Sequence, residues 1–435
     1  MSYFTVLELH PYTSWMMKIA GLGTSTLIAW VVLVRCTALP SPQESHFHLF
    51  AQADVTTQAS RAEVASKIRS AGYYTNWVSD WFPPETILWP LYDLILYAFL
   101  VLDSSSNLTC GEDTNCALLR RLIAAGHAHN VLVGMSIGGW SDSQYFSTAL
   151  LTENSRKALA QQICVLVQTL GVDVVDIDWE YPGRAGRTSD FLPQDSQDLL
   201  LFLRELGSCL PANVLRTAAV STIPFTGPDG ALMKDLSPFA QELDFASIMA
   251  YDVFAPSSHP GPNAPLYDGC GNSSQRLASA AGGYSSWTSA GFPPGQLMLA
   301  LAPYGTLSNS EDDSLQTRAD DANPDNGYKV LPDSNNQIYF RTLLSSGALT
   351  KTDKGFTGAS GFDRHFDKCS KTPYLVSKHA HQVVSFDDPN SIARKTVFIG
   401  ATGMKGFIFW DISGDTDQGD LVQAAHKVMD AFDTS

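Results

Sequence analysis

Short apolar runs and helix-period stretches take turns along this chain from residue 72 onward. The runs fall at 72–77, 93–102, 130–138, 171–180, 215–222, 245–253, 296–304 and 406–411. Each is rich in Val, Ile, Leu, Phe or Tyr, which predicts eight strands. Between most of them the apolar positions recur at helical spacing, as at 115–127, 154–170 and 196–206. Strand–helix alternation predicts a parallel sheet, and eight units predict a closed α/β barrel of the (β/α)8 (TIM-barrel) type, with its site at the C-terminal strand ends. One interval breaks the rhythm. About a hundred residues separate the seventh and eighth runs, far beyond a normal connection. The polar stretch 306–369 carries Tyr328, Tyr339, Phe340, Phe356 and Phe362. It is expected to form a small α+β insertion after the seventh strand. The barrel then occupies 67–305 and 370–435, with a helix capped at Asn390 or Ser391 after the insertion.

The fourth run ends in Asp173-Val174-Val175-Asp176-Ile177-Asp178-Trp179-Glu180-Tyr181-Pro182-Gly183. Strand alternation puts Asp176, Asp178 and Glu180 on one face, with neighbours about 6–7 Å apart. Val175, Ile177 and Trp179 face an apolar layer. Burial and like charge raise at least one carboxyl pKa, which makes a proton donor near neutral pH. A solvated acidic edge would not interleave Val, Ile and Trp. An EF-hand Ca²⁺ loop needs a central Gly and a distal Glu, both absent here.

The pattern Asp-x-x-Asp-x-Asp-x-Glu running into Tyr-Pro resembles the signature of family 18 glycoside hydrolases, the chitinases and their relatives, with Val174 where that family usually has Gly. Three further motifs resemble the family in barrel order. Ser136-Ile137-Gly138-Gly139-Trp140 follows the third strand, and its small residues leave room for a sugar beside the backbone. Met249-Ala250-Tyr251-Asp252 ends the sixth, with Met249 and Tyr251 on one face. Phe407-Ile408-Phe409-Trp410-Asp411 is the eighth, and an indole at Trp410 suits the apolar face of a pyranose.

The resemblance implies hydrolysis of β-1,4-linked N-acetylglucosamine polymers, with chitin or chitooligosaccharides as partner. It implies Glu180 as proton donor, Asp178 as holder of the acetamide, Asp176 as support for Asp178, and Tyr251 as donor to the acetamide carbonyl. Asp252 and Tyr181 would contact sugar, and Tyr73 and Phe99 would line the pocket. Trp140, Trp77 and Trp89 are candidates for flanking subsites or for packing. An endo-N-acetylglucosaminidase acting on N-glycans and a chitin-binding lectin of the same fold are the alternatives within the family. The lectins lack the terminal Glu that Glu180 supplies here. Outside the family, Gly134-Met135-Ser136-Ile137-Gly138 also fits a serine-esterase elbow. That elbow should lead straight into a helix, whereas Gly-Trp-Ser-Asp-Ser follows.

A formal net charge of −16 with no basic stripe argues against a nucleic-acid partner. The ten histidines include His127/His129 and His379/His381, spaced by two and so on different helix faces; no metal and no cofactor are expected. A monomer is expected. Residues 19–34 are nearly all apolar or small, preceded by Lys18 and followed by Arg35. That length suits a signal peptide better than a spanning helix. Residues 1–38 are expected to be a leader, with Met17 a possible true start, and the mature, secreted chain to begin between Leu39 and Asp54. Residues 39–66 read as linker. An uncleaved anchor is the rival. Of seven cysteines, Cys36 would leave with the leader. The other six suit an oxidising compartment and allow 15 pairings. All six are expected to be oxidised: Cys110 and Cys116 could close a small ring, and Cys164 and Cys209 are the weak point, because their apolar, helix-like surroundings also suit buried free thiols. Sequons at Asn107 and Asn272 fit secretion.

Overall fold

The computed structural model describes residues 61–433 apart from 112, 114–115, 189, 271–275, 311, 313–314, 316–332 and 334–335. The expectations for the leader, most of the linker, Cys36, the Asn272 sequon and Tyr328 therefore lie outside the described residues.

Eight parallel strands close into a barrel. They are β1 (Ser70–Thr75), β2 (Leu94–Leu102), β3 (Leu132–Gly138), β4 (Val174–Asp178), β5 (Leu215–Ser221), β6 (Phe245–Met249), β7 (Leu297–Leu301) and β8 (Gly406–Phe409). Each pairs with the next, and β1 closes the ring with Ser70 opposite Phe407 on β8. All eight coincide with the expected runs to within a few residues. The pleat sorts side chains into two layers. Ala71, Leu94, Leu96, Val174, Leu215, Phe245, Met298 and Ile408 fill the barrel. Val133, Met135, Val175, Ile177, Leu299 and Phe407 face the helices. Burying each of these Val, Leu, Ile, Phe and Met side chains stabilises by about 1.5–3 kcal/mol. Val174 fits the interior because Gly134 faces it. A Cβ at Gly134 would lie 2.7 Å from the Val174 Cβ.

The helices start and stop on readable signals. Glu153–Leu170 is capped by Thr152 in a reciprocal pair with Ser155 and ends at Gly171 with φ 75°. Cys164 bonds Cys209 on the next helix, Asp195–Cys209, so these two are not free thiols. They are apolar in setting because each lies on its helix's inner face. The helix Pro389–Thr402 is capped by Asp388 rather than by Asn390 or Ser391. The Asp388 carboxylate accepts from the Asn390 and Ser391 amides, and Pro389 takes the first helical position, where its missing N–H costs nothing.

The linker is also corrected at its end. Arg61–Lys67 is helical, Ala65 is buried, and Arg61 pairs with Asp244 at 3.0 Å before β6. Between β7 and β8 stands a five-stranded antiparallel sheet in the order Gln337–Tyr339, Tyr304–Asn309, Gln382–Ser385, Thr372–Ser377, Asp363–Asp367. It starts two residues before 306 and runs well past 369, because the strand Tyr304–Asn309 needs Gln382–Ser385 as its neighbour. A disulfide between Cys270 and Cys369 ties this sheet to the long loop after β6.

Candidate active site

The barrel's C-terminal end gathers the acid row. Asp176 and Asp178 point inward from β4, while Trp179 turns outward and stacks on Phe146 at 5.1 Å. Asp176 is wholly buried. It accepts from Tyr73 Oη (3.0 Å), Ser136 Oγ (2.7 Å) and Thr217 Oγ1 (2.5 Å), donors from β1, β3 and β5. Burial raises its pKa, and the three hydroxyls work against that rise. Asp178 is buried as well, and its Oδ1 has no hydrogen-bond partner. Burial, then Glu180, then Asp176, hold its carboxyl well above the usual carboxylate range.

Glu180 lies two residues past the strand, at the edge of the cleft. Burial is the main cause that pushes its carboxyl up to about 7; Asp252 adds to the rise, while Tyr181 and Arg184 oppose it. Ser143 fixes its backbone, since the Glu180 amide donates to Ser143 Oγ at 2.9 Å. That hydroxyl in turn donates to the Gly139 carbonyl at 2.8 Å. Tyr251 projects from the end of β6 on the same face as Met249. Burial first, then Asp178, Asp252 and Glu180, keep its phenol protonated. Such a phenol is a hydrogen-bond donor. Asp252 opens to the cleft and accepts from Gln337 Nε2 at 3.2 Å.

An aromatic floor completes the pocket. Trp410, half-buried at the end of β8, stacks on Phe99 with centroids 5.3 Å apart and meets Tyr73 edge-on at 5.3 Å. Trp77 is 58% exposed and stands 6.3 Å from Trp410. Trp140, also exposed, meets Tyr181 at 6.5 Å. The peptide bonds Ala98–Phe99, Glu180–Tyr181 and Trp410–Asp411 are cis.

Three expectations change. Ser136 is wholly buried on Asp176, so it supports the acid row and is closed to substrate. Among the described residues no histidine bonds it, and it sits within β3, which removes the esterase reading. Gly138 and Gly139 do not make room for sugar. A Cβ at Gly138 would fall 2.3 Å from the Asp178 carbonyl oxygen, and one at Gly139 would fall 2.5 Å from the Phe99 ring. Their φ values of 109° and 85° also call for glycine. Trp89 is core, with its Nε1 donating to the Pro84 carbonyl at 3.1 Å.

Sequence reasoning missed the residues that reach the site from elsewhere. Thr217 and Ser143 hold Asp176 and Glu180. Gln337 and Tyr339 arrive from the insertion, where Tyr339 Oη donates to Asp411 at 3.1 Å. Ser143 had a signal, since it lies three residues past the Gly138-Gly139-Trp140 turn. Gln337 had none.

The fourth strand thus delivers a row of buried carboxyls beside the half-buried Trp410, with the exposed indoles of Trp77 and Trp140 at the rim. Comparison gives the class. The glycosyl hydrolases family 18 profile matches residues 69–415, and the chain belongs to that family. A "chitinase-like effector" of Moniliophthora roreri is 32% identical over 362 residues, covering 79% of this chain and 88% of that protein. The crystal structure of a chitinase from Rhizomucor miehei superposes with a TM-score of 0.72 at 25% identity, covering 83% of this chain and 100% of that one. A plant class V chitinase mutant from Cycas revoluta, in complex with (GlcNAc)3, shares the fold with a TM-score of 0.68 at 19% identity, over 83% of this chain and 99% of that one.

Proposed function

We propose that this chain hydrolyses β-1,4 linkages between N-acetylglucosamine units of chitin, with retention and with the substrate's own acetamide as nucleophile. The observation that carries this is the pairing of two carboxyls with different tasks. Glu180, titrating at about 7, is poised to give a proton to the glycosidic oxygen. Asp178 keeps an unpartnered buried oxygen at the pocket floor, the place for an acetamide N–H.

The steps follow from that pairing. A sugar ring rests on Trp410. Glu180 protonates the leaving oxygen as the acetamide carbonyl oxygen attacks the anomeric carbon, and the glycosidic C–O bond breaks. Tyr251 donates to that carbonyl oxygen and orients it. Asp178 steadies the positive oxazolinium ion that forms. Asp176, fixed by three hydroxyls, lies deeper on the same strand and favours a proton on Asp178. Water then adds at the anomeric carbon, Glu180 takes its proton, and the acetamide is regenerated. No enzyme nucleophile is required, as substrate assistance allows. Tyr73, Phe99, Trp77, Trp140, Tyr181 and Asp252 would flank the bound chain. The relative crystallised with (GlcNAc)3 supports chitooligosaccharides as ligands. The three disulfides and the exposed Asn107 support secretion.

A second reading is a chitin-binding protein without turnover, and the name of the Moniliophthora relative motivates it. Incubation with chitohexaose separates the two. The first reading predicts shorter oligomers from wild type and binding without release by Glu180→Gln. Binding by both proteins with no product from either would establish the second.

A further inference from the structure

Arg184 stands four residues past Glu180, in the loop that leaves β4. Its guanidinium lies over the Tyr181 ring, 4.3 Å from the centroid. The same group donates to Ser221 Oγ at the end of β5 (2.5 Å) and to the Pro224 carbonyl beyond it (3.4 Å). It thus spans two strand exits, with the Tyr181 ring clamped beneath it. Glu180, Tyr181 and Arg184 line one pocket at these exits.

The charge of Arg184 is unusual for its setting. The two buried arginines, Arg156 and Arg216, are matched by carboxylates, Asp198 and Glu242, both at 2.9 Å. Among the described residues no carboxylate stands within 4 Å of the Arg184 nitrogens. A half-buried cation bonded only to neutral oxygens is costly to keep. What surrounds it gives the reason. Glu180 faces Asp178 on its own strand, Tyr181 beside it, and Tyr251 and Asp252 from the end of β6. Asp176 lies deeper on β4. Across the cleft the β3 exit carries Asp142, with Arg187 in its field and bonded to Ser141. Every acid near Glu180 resists its ionisation, and Arg184 is the cation placed to favour it.

We propose that Arg184 is a positioning residue for the catalytic acid: its guanidinium holds the Tyr181 ring at the pocket wall that Glu180 shares and supplies a nearby positive charge that favours the Glu180 carboxylate once its proton has left. The inference rests on the hydrolase reading. The carboxylate is the species that must form when the glycosidic bond breaks and must then accept a proton from water. A missing cation should therefore slow bond cleavage, the half in which the carboxylate forms, and not the half in which it takes a proton from water.

The test compares Arg184→Met, which keeps the stem and loses the charge, with Arg184→Lys, which keeps the charge and loses the flat stack. The pH profile of kcat/KM is measured on chitohexaose. Arg184→Met should move the basic limb upward by about 0.5–1 pH unit, because the acid form persists to higher pH. It should also lower kcat about tenfold. Arg184→Lys should keep the limb near its wild-type position and recover part of kcat. A limb that stays put in Arg184→Met, or moves downward, would overturn the proposal. So would identical profiles for the two variants. Carboxyl ¹³C titration in glutamate-labelled protein, with the Glu180 signal assigned by its loss in Glu180→Gln, reads the same shift without turnover. If wild type does not cleave chitohexaose, the hydrolase reading falls, and the titration still decides whether Arg184 acts on Glu180.

Discussion

Ser143→Ala tests whether the backbone of the catalytic acid is held by one hydroxyl. Ser143 is 6% exposed and makes bonds in two directions. Its oxygen accepts the Glu180 amide at 2.9 Å, and its proton goes to the Gly139 carbonyl at 2.8 Å. Removing it orphans the Glu180 N–H, which costs about 1–3 kcal/mol, and deletes a second bond worth about 0.5–1.5 kcal/mol. The sum predicts a loss of about 1.5–4.5 kcal/mol in unfolding free energy, readable by urea denaturation. The catalytic effect has a separate origin. The freed backbone lets Glu180 drift from the glycosidic oxygen, and a displacement near 1 Å can cost about 10²-fold. Expected is a kcat drop of about 10- to 100-fold on chitohexaose with KM changed less than about threefold, because Trp410, Asp252 and Trp140 stay in place. Ser143→Thr, which keeps the oxygen, should recover most of kcat. A stability loss of the stated size with kcat unchanged would show that the hydroxyl serves the fold alone, and the reasoning about Glu180 would fail.

Three other outcomes follow. Because Glu180 donates its proton with a pKa of about 7, kcat/KM should fall tenfold per unit as pH rises beyond that value; a flat profile to pH 9 would deny Glu180 the acid role. Gly139→Ala should strain a backbone held at φ 85° and drive the new methyl into the Phe99 ring. Tilting the Phe99–Trp410 stack should raise KM several-fold, at a stability cost of about 1–3 kcal/mol. Replacing both Cys164 and Cys209 with Ser should lower unfolding free energy by about 4 kcal/mol, since the bridge closes a loop across a separation of 45 residues. A melting temperature equal to wild type would refute that assignment.

The barrel was legible because its signals are local. Each strand is an apolar run with a fixed alternation, and the same alternation placed Asp176, Asp178, Met249 and Tyr251 on inner faces. What escaped depends on residues far apart in the chain. Glycines 138 and 139 read as open space, yet the carbonyl of Asp178 and the ring of Phe99 occupy it. Ser136 read as a contact for sugar, but a partner on β4 claims its hydroxyl. Alternation along β2 would put Phe99 on the face opposite Ala98, and only the resemblance placed it in the pocket. The pairing of Cys164 with Cys209 was hidden because apolar surroundings suit a free thiol as well as a bridge. The insertion's edge was missed because strand Thr372–Ser377 shows its purpose only beside Gln382–Ser385. Asp388 was passed over as a cap because Asn390 and Ser391 are equally good capping types, and the choice is made by where Pro389 fits.

The central claim is that the substrate's acetamide does the work of a nucleophile while Glu180 moves the proton. The most direct measurement follows the products of fully acetylated and fully deacetylated hexamers by ¹H NMR in the first minutes of reaction. The account predicts that the acetylated hexamer is cut, with the new reducing end released first as the β anomer. It predicts that the deacetylated hexamer stays intact and that Glu180→Gln leaves both untouched. Release of the α anomer first, or cleavage of the deacetylated hexamer at a similar rate, would contradict it.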